Sequence, residues 1–384
     1  MSAAKRAALL GLAAAAAMWA WQFLTVHYNY GGNWTALFRI RAGMPVPEFL
    51  KSEKLYIFQD QGYDGQVFHL MAHDPWMRKG SREAIAGASF RYQRILIPAL
   101  AWALALGRDE WVHAAYFAVI LGFAFLGVYW MALLADRAGL NAWWGWAFAL
   151  MPATITSIDR MTVDIALAAL VAGFAFYAGK APVWRVALVL TCAALTRETA
   201  LPVIAGYAAY LFTRREIRGA VWVCASALPA LAWFVYLNRL GPSTVGGFVG
   251  LVPLSGFFER VIHPAAYALP AFKAGVGKVF DYAALGGIAL AMALTARLAM
   301  RREWSAQSAA AYGMAIAVVF LHDRSVWEDA YAFGRVLTPL LLLVAVLYWA
   351  RRPWLAIAPV ALVDARVALN LATQISGVVR GVAK

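Results

Sequence analysis

The sequence predicts an all-α fold, a polytopic bundle of about eleven transmembrane helices with a large first external loop that carries interfacial helices. Of its 384 residues, 63% are hydrophobic and only 14% are charged, whereas an ordinary globular chain is about half apolar and a quarter charged. The mean hydropathy is +0.64. Apolar runs of about 20 residues, the length that crosses a bilayer, recur along the chain. These observations indicate a multi-pass membrane protein.

The basic residues indicate an orientation in a membrane rather than a nucleic-acid partner. The formal net charge is +14, but Lys and Arg separate the apolar runs and form no basic block with interleaved aromatic residues, so we expect no nucleic-acid binding. The two cysteines, Cys192 and Cys224, lie in apolar stretches. They provide neither a disulfide framework nor a metal site.

The first predicted span starts after Lys5 and Arg6 and continues to about Val26. A basic start before an Ala-rich run is also typical of a cleaved signal peptide, but Trp19 and Phe23 continue the run without a clear small-residue cleavage site. We therefore expect an uncleaved span with a cytoplasmic N-terminus.

The first external loop is predicted over residues 27–111 and holds most of the polar sequence of the chain. Within it, Ile95–Leu106 is apolar but about 12 residues long, too short to cross. If this segment lies half-buried at the outer face, the later turns rich in Lys and Arg all fall on the cytoplasmic side, as the positive-inside rule requires. The later predicted spans are 112–135, 142–157, 164–179, 186–196, 200–213, 219–237, 279–298, 306–321, 336–350 and 353–370.

This topology divides the chain into two parts. Residues 1–215 form a membrane module that includes the first loop, and residues 216–384 form C-terminal transmembrane helices with external loops at 238–278 and 322–335. Most acidic residues fall in the external loops. Transporters typically have an internal repeat and charged residues in the middle of a span. The sequence shows no internal repeat and no charge pair in the middle of a predicted span. We therefore expect the chemistry of this chain on the outer face.

The strongest local pattern is Tyr63-Asp64-Gly65-Gln66 in the first loop. One interpretation is a solvated Asp-Gly turn. The other is a carboxylate held at the membrane surface, where partial burial raises the pKa of Asp64 toward that of a useful general base. Asp60 is a second candidate for this role, and Gln66 is a candidate for substrate binding.

The same loop contains a possible metal-binding pattern. His69 and His73 are four residues apart and share a helix face, and Asp74 follows directly. This spacing suits a divalent metal ion. Packing or hydrogen bonding of the histidines is the alternative.

Five arginines near predicted outer turns are candidates for binding a phosphate or pairing with an acid. Arg91 and Arg94 precede the half-buried segment, where they either extend toward the interface or receive a phosphate. Arg335 starts a span and either anchors it or meets an anionic headgroup. Arg160 is expected to form a surface ion pair with its neighbour, worth under about 1 kcal/mol; Arg197 is the fifth.

Three acidic residues accompany these arginines. Asp159 is the neighbour of Arg160, whereas Asp164 starts an apolar span, where an idle carboxylate is costly. Glu198 follows Arg197 in the turn between two very short spans, so that pair is expected below the outer surface. The Arg197–Glu198 pair either stabilises the fold or takes part in the function.

The layout of the first 215 residues resembles the GT-C superfamily of integral-membrane glycosyltransferases. One span leads to a large loop with an early acidic residue, Asp64, and that loop ends in a Pro-containing interfacial helix, Arg94–Leu106. Two spans later an external acidic turn follows, Asp159–Asp164. The acidic-x-x-x-Tyr pattern of the family maps onto Asp64–Phe68, with Phe in place of Tyr. The usual second acid is Gly65 here.

More closely, the stretches Tyr-Asp-Gly-Gln, Ala-His-Asp-Pro, Arg-Tyr-Gln-Arg-Ile-Leu-x-Pro and Leu-Thr-Arg-Glu-Thr resemble bacterial membrane proteins of cell-surface glycopolymer formation. The resemblance implies a hexosyl- or pentosyltransferase in the bacterial inner membrane, with its active site in the periplasm. It would move a sugar from a polyprenyl-(di)phosphate carrier to a glycan, lipid or protein acceptor.

The resemblance also implies roles for the candidate residues. The implied catalytic residues are Asp64, Asp60 and Asp164, and the implied substrate-binding residues are Gln66, Arg91, Arg94, Asp159, Arg197, Glu198 and Arg335. A divalent ion such as Mg²⁺ or Mn²⁺ is the candidate cofactor, with His69, His73 and Asp74 as weak ligand candidates. The alternative functions are a transporter or flippase of a lipid-linked sugar and a non-catalytic subunit of a glycan-assembly complex.

Overall fold

The computed structural model describes residues 1–241 and 248–383, and within them it is almost entirely helical. Residues 242–247 of the predicted external loop 238–278, and residue 384, lie outside the described residues. The helices are α1 (Ala3–Tyr30), α2 (Gly65–His73), α3 (Ser81–Ala84), α4 (Ala88–Arg91), α5 (Leu96–Leu104), α6 (Asp109–Arg137), α7 (Pro152–Arg160), α8 (Asp164–Tyr177), α9 (Val183–Thr196), α10 (Leu201–Thr213), α11 (Ile217–Ala225), α12 (Leu228–Leu240), α13 (Ser255–Ile262), α14 (Ala271–Met300), α15 (Ala306–Phe320), α16 (Arg324–Trp327), α17 (Ala330–Tyr348) and α18 (Pro353–Val382).

The remaining regular structure consists of short elements. Two parallel two-residue strands, β1 (Ile40–Arg41) and β2 (Ile57–Phe58), pair in the segment between α1 and α6. We call this segment, residues 31–108, the first loop. Short 3₁₀ helices are formed by Trp34–Phe38, Glu48–Leu50, Ala142–Leu150 and Glu198–Ala200.

The structure is that of a multi-pass helical membrane protein. Six helical segments are long and apolar enough to cross a membrane: Ala3–Tyr30, Asp109–Arg137, Ile217–Leu240, Ala271–Met300, Ala330–Tyr348 and Pro353–Val382. Three further apolar helices, α8, α9 and α15, have 14, 14 and 15 residues. That is fewer than the roughly 20 residues that a full crossing needs.

The predicted span 142–157 is not a continuous helix. The segment Ala142–Leu150 is a 3₁₀ helix, and Met151 adopts an extended conformation before α7 starts at Pro152. Proline suits the first position of a helix but lacks the N–H that would continue a preceding one. The break therefore falls where Pro152 removes a backbone donor.

The short apolar segment that ends the first loop is half-buried, as the sequence predicts. It forms α5, which has nine residues and a length of about 14 Å. Ile97 and Ala101 are buried against the protein, whereas Leu100 and Leu104 are exposed. A helix of this length cannot span a bilayer.

Contacts between helix ends bring the basic turns together at one end of the bundle. Arg6 of α1 pairs with Asp136 of α6 at 2.8 Å, and Arg351 after α17 pairs with Glu303 after α14 at 2.5 Å. Arg137 donates to the carbonyl oxygen of Phe176, near the end of α8. The first loop and the starts of α6, α8 and α17 lie at the opposite end.

Helices α10 and α15 approach closely because glycines face the neighbouring backbone. A Cβ at Gly206 would lie 2.2 Å from the carbonyl oxygen of Ala309, and one at Gly313 would lie 2.2 Å from that of Pro202. Small residues allow such close contacts between membrane helices. The contact joins α15 to the helix that follows the Arg197–Glu198 turn.

We expect Gly206→Ala to lower the thermal unfolding midpoint of the detergent-solubilised protein. The added methyl group forces α10 and α15 apart, and overpacking of this kind costs about 1–3 kcal/mol. Gly122→Ala is the matched control, because a Cβ there meets no atom of the described chain within 4 Å and alanine favours a helix over glycine by up to about 1 kcal/mol. Equal midpoints for the two variants would contradict the close packing.

Candidate functional site

A polar cavity of about 1030 Å³ lies between the first loop and the start of α17. Its walls include Tyr63, Asp64, Gln66, Arg91 and Arg335. Its further wall residues include Glu83, Tyr267, Glu328, Asp329 and Arg366. Charged and aromatic groups thus surround a space large enough for a small-molecule ligand.

The backbone around Gly65 places Asp64 at the cavity wall. Asp64 precedes α2, and a Cβ on Gly65 would lie 2.1 Å from the carbonyl oxygen of Arg160. Only glycine allows the chain to pass this close to α7. The Asp-Gly pair is therefore a packed junction between the first loop and the bundle, not a freely solvated turn.

Asp64 lies between two guanidinium groups. Its Oδ1 accepts from Nη1 of Arg91 at 2.8 Å, and its Oδ2 accepts from Nη2 of Arg335 at 2.5 Å. The side chain of Asp64 keeps 19% of its surface exposed. The carboxylate is therefore held by charge on both oxygens and still reaches the cavity.

Arg335 connects Asp64 to the buried start of α8. Its second terminal nitrogen, Nη1, donates to Asp164 at 3.3 Å, and its guanidinium lies 4.9 Å from the ring centre of Tyr63. Asp164 is fully buried and is also bonded by Nη1 of Arg197. One carboxylate thus holds two arginines from α17 and from the turn after α9.

A third acid, Glu198, completes the cluster. Glu198 accepts two hydrogen bonds from Arg94, at 2.6 Å and 3.1 Å, and lies 3.9 Å from Nε of Arg197. We call Asp64, Arg91, Arg94, Asp164, Arg197, Glu198 and Arg335 the charge cluster. Its four arginines outnumber its three carboxylates by one, so a formal charge of +1 remains. Two of these arginines, Arg91 and Arg335, line the cavity, and guanidinium groups at a cavity wall are suited to contact an anion.

Two arginine nitrogens of the charge cluster have unused hydrogen-bonding capacity. The Nε atoms of Arg197 and Arg335 are buried and have no partner among residues 1–241 and 248–383. Buried donors are normally paired. Each of these two arginines therefore keeps one buried N–H group without a hydrogen bond among the described residues.

The ionisation of Asp64 differs from the sequence-based expectation. Burial raises the pKa of its carboxyl group, but Arg335 and Arg91 outweigh burial and hold that pKa well below its usual range. The expectation of a raised pKa was wrong, because the opposite charges lie within direct hydrogen-bonding distance. Asp64 is thus ionised at neutral pH and is a weak base while both arginines hold it.

Asp60 and Gln66 have different surroundings. Asp60 is paired with Arg39 at 2.6 Å and its side chain is 63% exposed, away from the charge cluster. Gln66 lies on the cavity wall, and its Oε1 accepts from the backbone N–H of Arg41 at 3.1 Å. The structure therefore groups Gln66, but not Asp60, with Asp64.

Asp159 belongs to a buried network rather than a surface ion pair. Its side chain is 1% exposed and contacts Arg160 at 2.7 Å, Tyr331 at 3.1 Å and Gln374 at 2.6 Å. The prediction of a surface pair was wrong because α17 and α18 cover this turn. The guanidinium of Arg160 also lies 5.8 Å from the ring of Tyr63, next to the charge cluster.

The predicted metal-binding residues separate into two sites. His69 and His73 lie together with His113 and Glu53, and their ligand atoms are all within 4.8 Å of one another. Burial lowers the pKa of His69 and of His73, so both imidazoles are neutral. Asp74 does not join them.

Instead, Asp74 anchors the chain after α2. It accepts from the backbone N–H groups of Arg78 and Lys79, each at 2.7 Å, and from the hydroxyl of Ser81 at 2.7 Å. All of its described contacts are thus those of a structural turn. Its proposed place among the metal ligands was wrong.

Sequence reasoning missed several residues of these sites. His113 and Glu53 lie 40 positions after and 20 positions before His73, so spacing within a motif does not reveal them. Tyr267 and Arg366 line the cavity. Both donate hydrogen bonds to the buried Asp281, which also accepts one from Arg260. A charged residue inside an apolar run, such as Arg366, is the signal that could have identified that group.

A second large cavity provides a contrast. It measures about 630 Å³ and is lined by Trp143, Trp144, Trp349 and other mainly apolar residues near the end that carries the basic turns. Such walls suit hydrocarbon and contain no charged group to receive a phosphate. Of these two cavities, the first-loop cavity is the one whose described walls carry charged groups.

The charge cluster combines the groups that phosphate-linked chemistry needs. Guanidinium groups bind phosphate oxygens and stabilise negative charge that develops on them, and a carboxylate can accept a proton. No protein-family model, no curated protein and no solved structure matches this chain.

We expect Asp64→Asn to destabilise the protein at pH 7 by about 1.5–3 kcal/mol, the contribution of hydrogen bonds to charged groups. Because the folded-state pKa of Asp64 lies below the unfolded value of about 3.9, this contribution is complete above about pH 4 and is lost as the pH falls further. The unfolding midpoints of wild type and variant should therefore approach each other as the pH falls below about 4.

Asp60→Asn is the control for this measurement, since its partner Arg39 forms an exposed pair worth at most about 1 kcal/mol. A gap between wild type and Asp64→Asn that widens in acid would contradict the arrangement of charges around Asp64.

Proposed function

We propose that the chain is a membrane glycosyltransferase of GT-C type that transfers a hexosyl or pentosyl group from a polyprenyl-(di)phosphate carrier. Its acceptor is a cell-envelope glycan, lipid or protein. The observation that supports this most strongly is Asp64, held between Arg91 and Arg335 on the wall of a polar cavity at one end of an apolar helical bundle.

The donor phosphate provides a route to an active base. A phosphate that enters the cavity competes with Asp64 for Arg91 and Arg335, because both are anions. As the guanidinium groups turn to the phosphate, Asp64 loses the charges that lower its pKa. Binding of the donor therefore makes Asp64 a stronger base at the moment when one is needed.

The transfer step then balances in atoms and charge. The acceptor hydroxyl loses its proton to Asp64 while its oxygen forms a bond to the anomeric carbon of the sugar. The bond between that carbon and the phosphate oxygen breaks, and the carrier phosphate leaves with the electron pair. Arginines stabilise the charge on the leaving oxygen.

The other members of the charge cluster act as positioning residues in this mechanism. Asp164 is fully buried and holds Arg197 and Arg335, and Glu198 holds Arg94 through two bonds. Arg91 and Arg335, the two arginines of the cluster that line the cavity, supply the positive charge at the phosphate. Measuring sugar transfer with chelator and with added Mg²⁺ or Mn²⁺ tests the expected cofactor separately.

The membrane placement supports the same proposal. The basic turns meet at the end opposite the first loop, and the positive-inside rule favours a cytoplasmic position for such turns. This supports our proposal that the cavity opens on the periplasmic side of a bacterial inner membrane. The proposed GT-C topology has eleven spans, counting the short apolar helices. A lipid carrier confines its phosphate to the membrane surface. The charge cluster lies at the ends of helices, which is where such a phosphate would be found.

We expect Asp64→Asn to reduce sugar transfer by about 10²–10⁴-fold, the contribution of a positioned general base. The measurement is the loss of radiolabelled sugar from polyprenyl-phosphate donors in proteoliposomes. Asp60→Asn is the matched control, because Asp60 is exposed and paired outside the charge cluster, and it should transfer at nearly the wild-type rate.

Equal transfer by wild type and Asp64→Asn would exclude Asp64 as the base. Label that crosses the bilayer while still attached to its carrier, at equal rates in both proteins, would identify a flippase instead. Full function of Asp64→Asn in making the surface glycan, without any transfer by the purified protein, would indicate a non-catalytic subunit.

A further inference from the structure

A second site of a different kind lies farther along α2, towards its C-terminal end. We propose that His69, His73, His113 and Glu53 bind a structural Zn²⁺ ion. The ion would join α2 to α6 and to the part of the first loop that precedes β2. The donor atoms of these four residues lie within 4.8 Å of one another. The proposal is independent of the glycosyltransferase proposal, because none of the four residues lines the polar cavity.

The spacing of the donors is close to that of a zinc site. Zn²⁺ binds His nitrogen and carboxylate oxygen at about 2.0–2.2 Å, so tetrahedral donors are about 3.3–3.6 Å apart. Nε2 of His113 lies 3.3 Å from Oε2 of Glu53 and 2.6 Å from Nε2 of His69. The His69–His113 pair must therefore open by less than about 1 Å to receive the ion.

One ring nitrogen of His73 is unused. His73 is fully buried, and its Nε2 has no hydrogen-bond partner within the described part of the chain. Its Nδ1 is 3.0 Å from a carboxylate oxygen of Asp109. An imidazole whose one nitrogen donates to a carboxylate while the other remains free is the arrangement typical of metal-binding histidines.

Hydrogen bonding alone leaves this group incomplete. Nε2 of His69 faces Nε2 of His113, and one of the two must donate a proton to the other. Nε2 of His73 remains without a partner among the described residues. A metal ion satisfies all three nitrogens at once, and buried polar atoms are rarely left unpaired.

Aromatic rings cover the two histidines of α2. The ring of Phe38 stacks on His69 with centroids 4.4 Å apart, and the ring of Phe49 stacks on His73 at 5.6 Å. Four protein donors leave no open position for a substrate, which is typical of structural rather than catalytic zinc. The three imidazoles favour zinc over the oxygen-preferring ions Mg²⁺ and Mn²⁺.

The position of the site gives the ion a defined structural effect. Asp64 immediately precedes α2, and His69 and His73 follow on that same helix. His113 lies on α6, so the ion would fix α2 against a long apolar helix. One metal ion would then hold α2 in place through two successive turns, those of His69 and His73.

The test measures metal content in the full-length protein, purified in detergent without a polyhistidine tag. The protein is treated with chelator, equilibrated with Zn²⁺ and freed of excess metal by gel filtration before elemental analysis. We expect about one zinc ion per chain in the wild type and its loss in His73→Ala and His113→Ala. His263→Ala, which changes an exposed histidine, is the matched control and should keep the ion.

Two further measurements need no variant, so they remain informative if His73→Ala fails to fold. Chelator should lower the unfolding midpoint of the wild type, and Zn²⁺ should restore it. Co²⁺ in place of Zn²⁺ should give the visible absorption bands of a four-coordinate ion. Substoichiometric zinc in the wild type, or the same zinc content in His113→Ala, would overturn the proposal.

Discussion

The carboxylate of Asp164 is the constraint on which the rest of the site depends. It is completely buried at the start of α8, and an unpaired charge in such a place costs several kcal/mol. Arg197 and Arg335 meet it from two other elements. Because Arg335 also bonds Asp64, the requirement to neutralise one buried acid fixes the position of the first loop relative to the bundle.

The same bonds that stabilise the fold prepare the site for an anion. The arginines are held in place by acids before any ligand arrives, so little order has to be created on binding. A phosphate can replace Asp64 at Arg335 while Asp164 continues to hold that arginine from its buried side. In the proposed mechanism, this exchange would link donor binding to the basicity of Asp64, and it would account for the pairing of the proposed base with cations in the structure.

Local sequence features identified the members of the charge cluster but not their partners. Asp164 and Arg335 were recognisable because charges at the ends of apolar spans are costly, yet the bond between Arg335 and Asp64 joins residues 271 positions apart. Asp159 looked exposed because α17 and α18, which cover it, lie far along the chain. The helical class and the half-buried α5 followed from composition and length, whereas the break at Pro152 within 142–157 divided a predicted span.

The central claim is that the first-loop cavity receives the phosphate of a lipid carrier. The most direct measurement uses a polyprenyl phosphate with a photoreactive group beside the phosphate, in proteoliposomes, followed by mass spectrometry of the labelled peptides. We expect label on cavity residues such as Gln66 and Tyr267, with competition by unlabelled carrier and loss of label in Arg335→Ala. Label confined to the tryptophan-lined cavity at the other end, or unaffected by competitor, would contradict the claim.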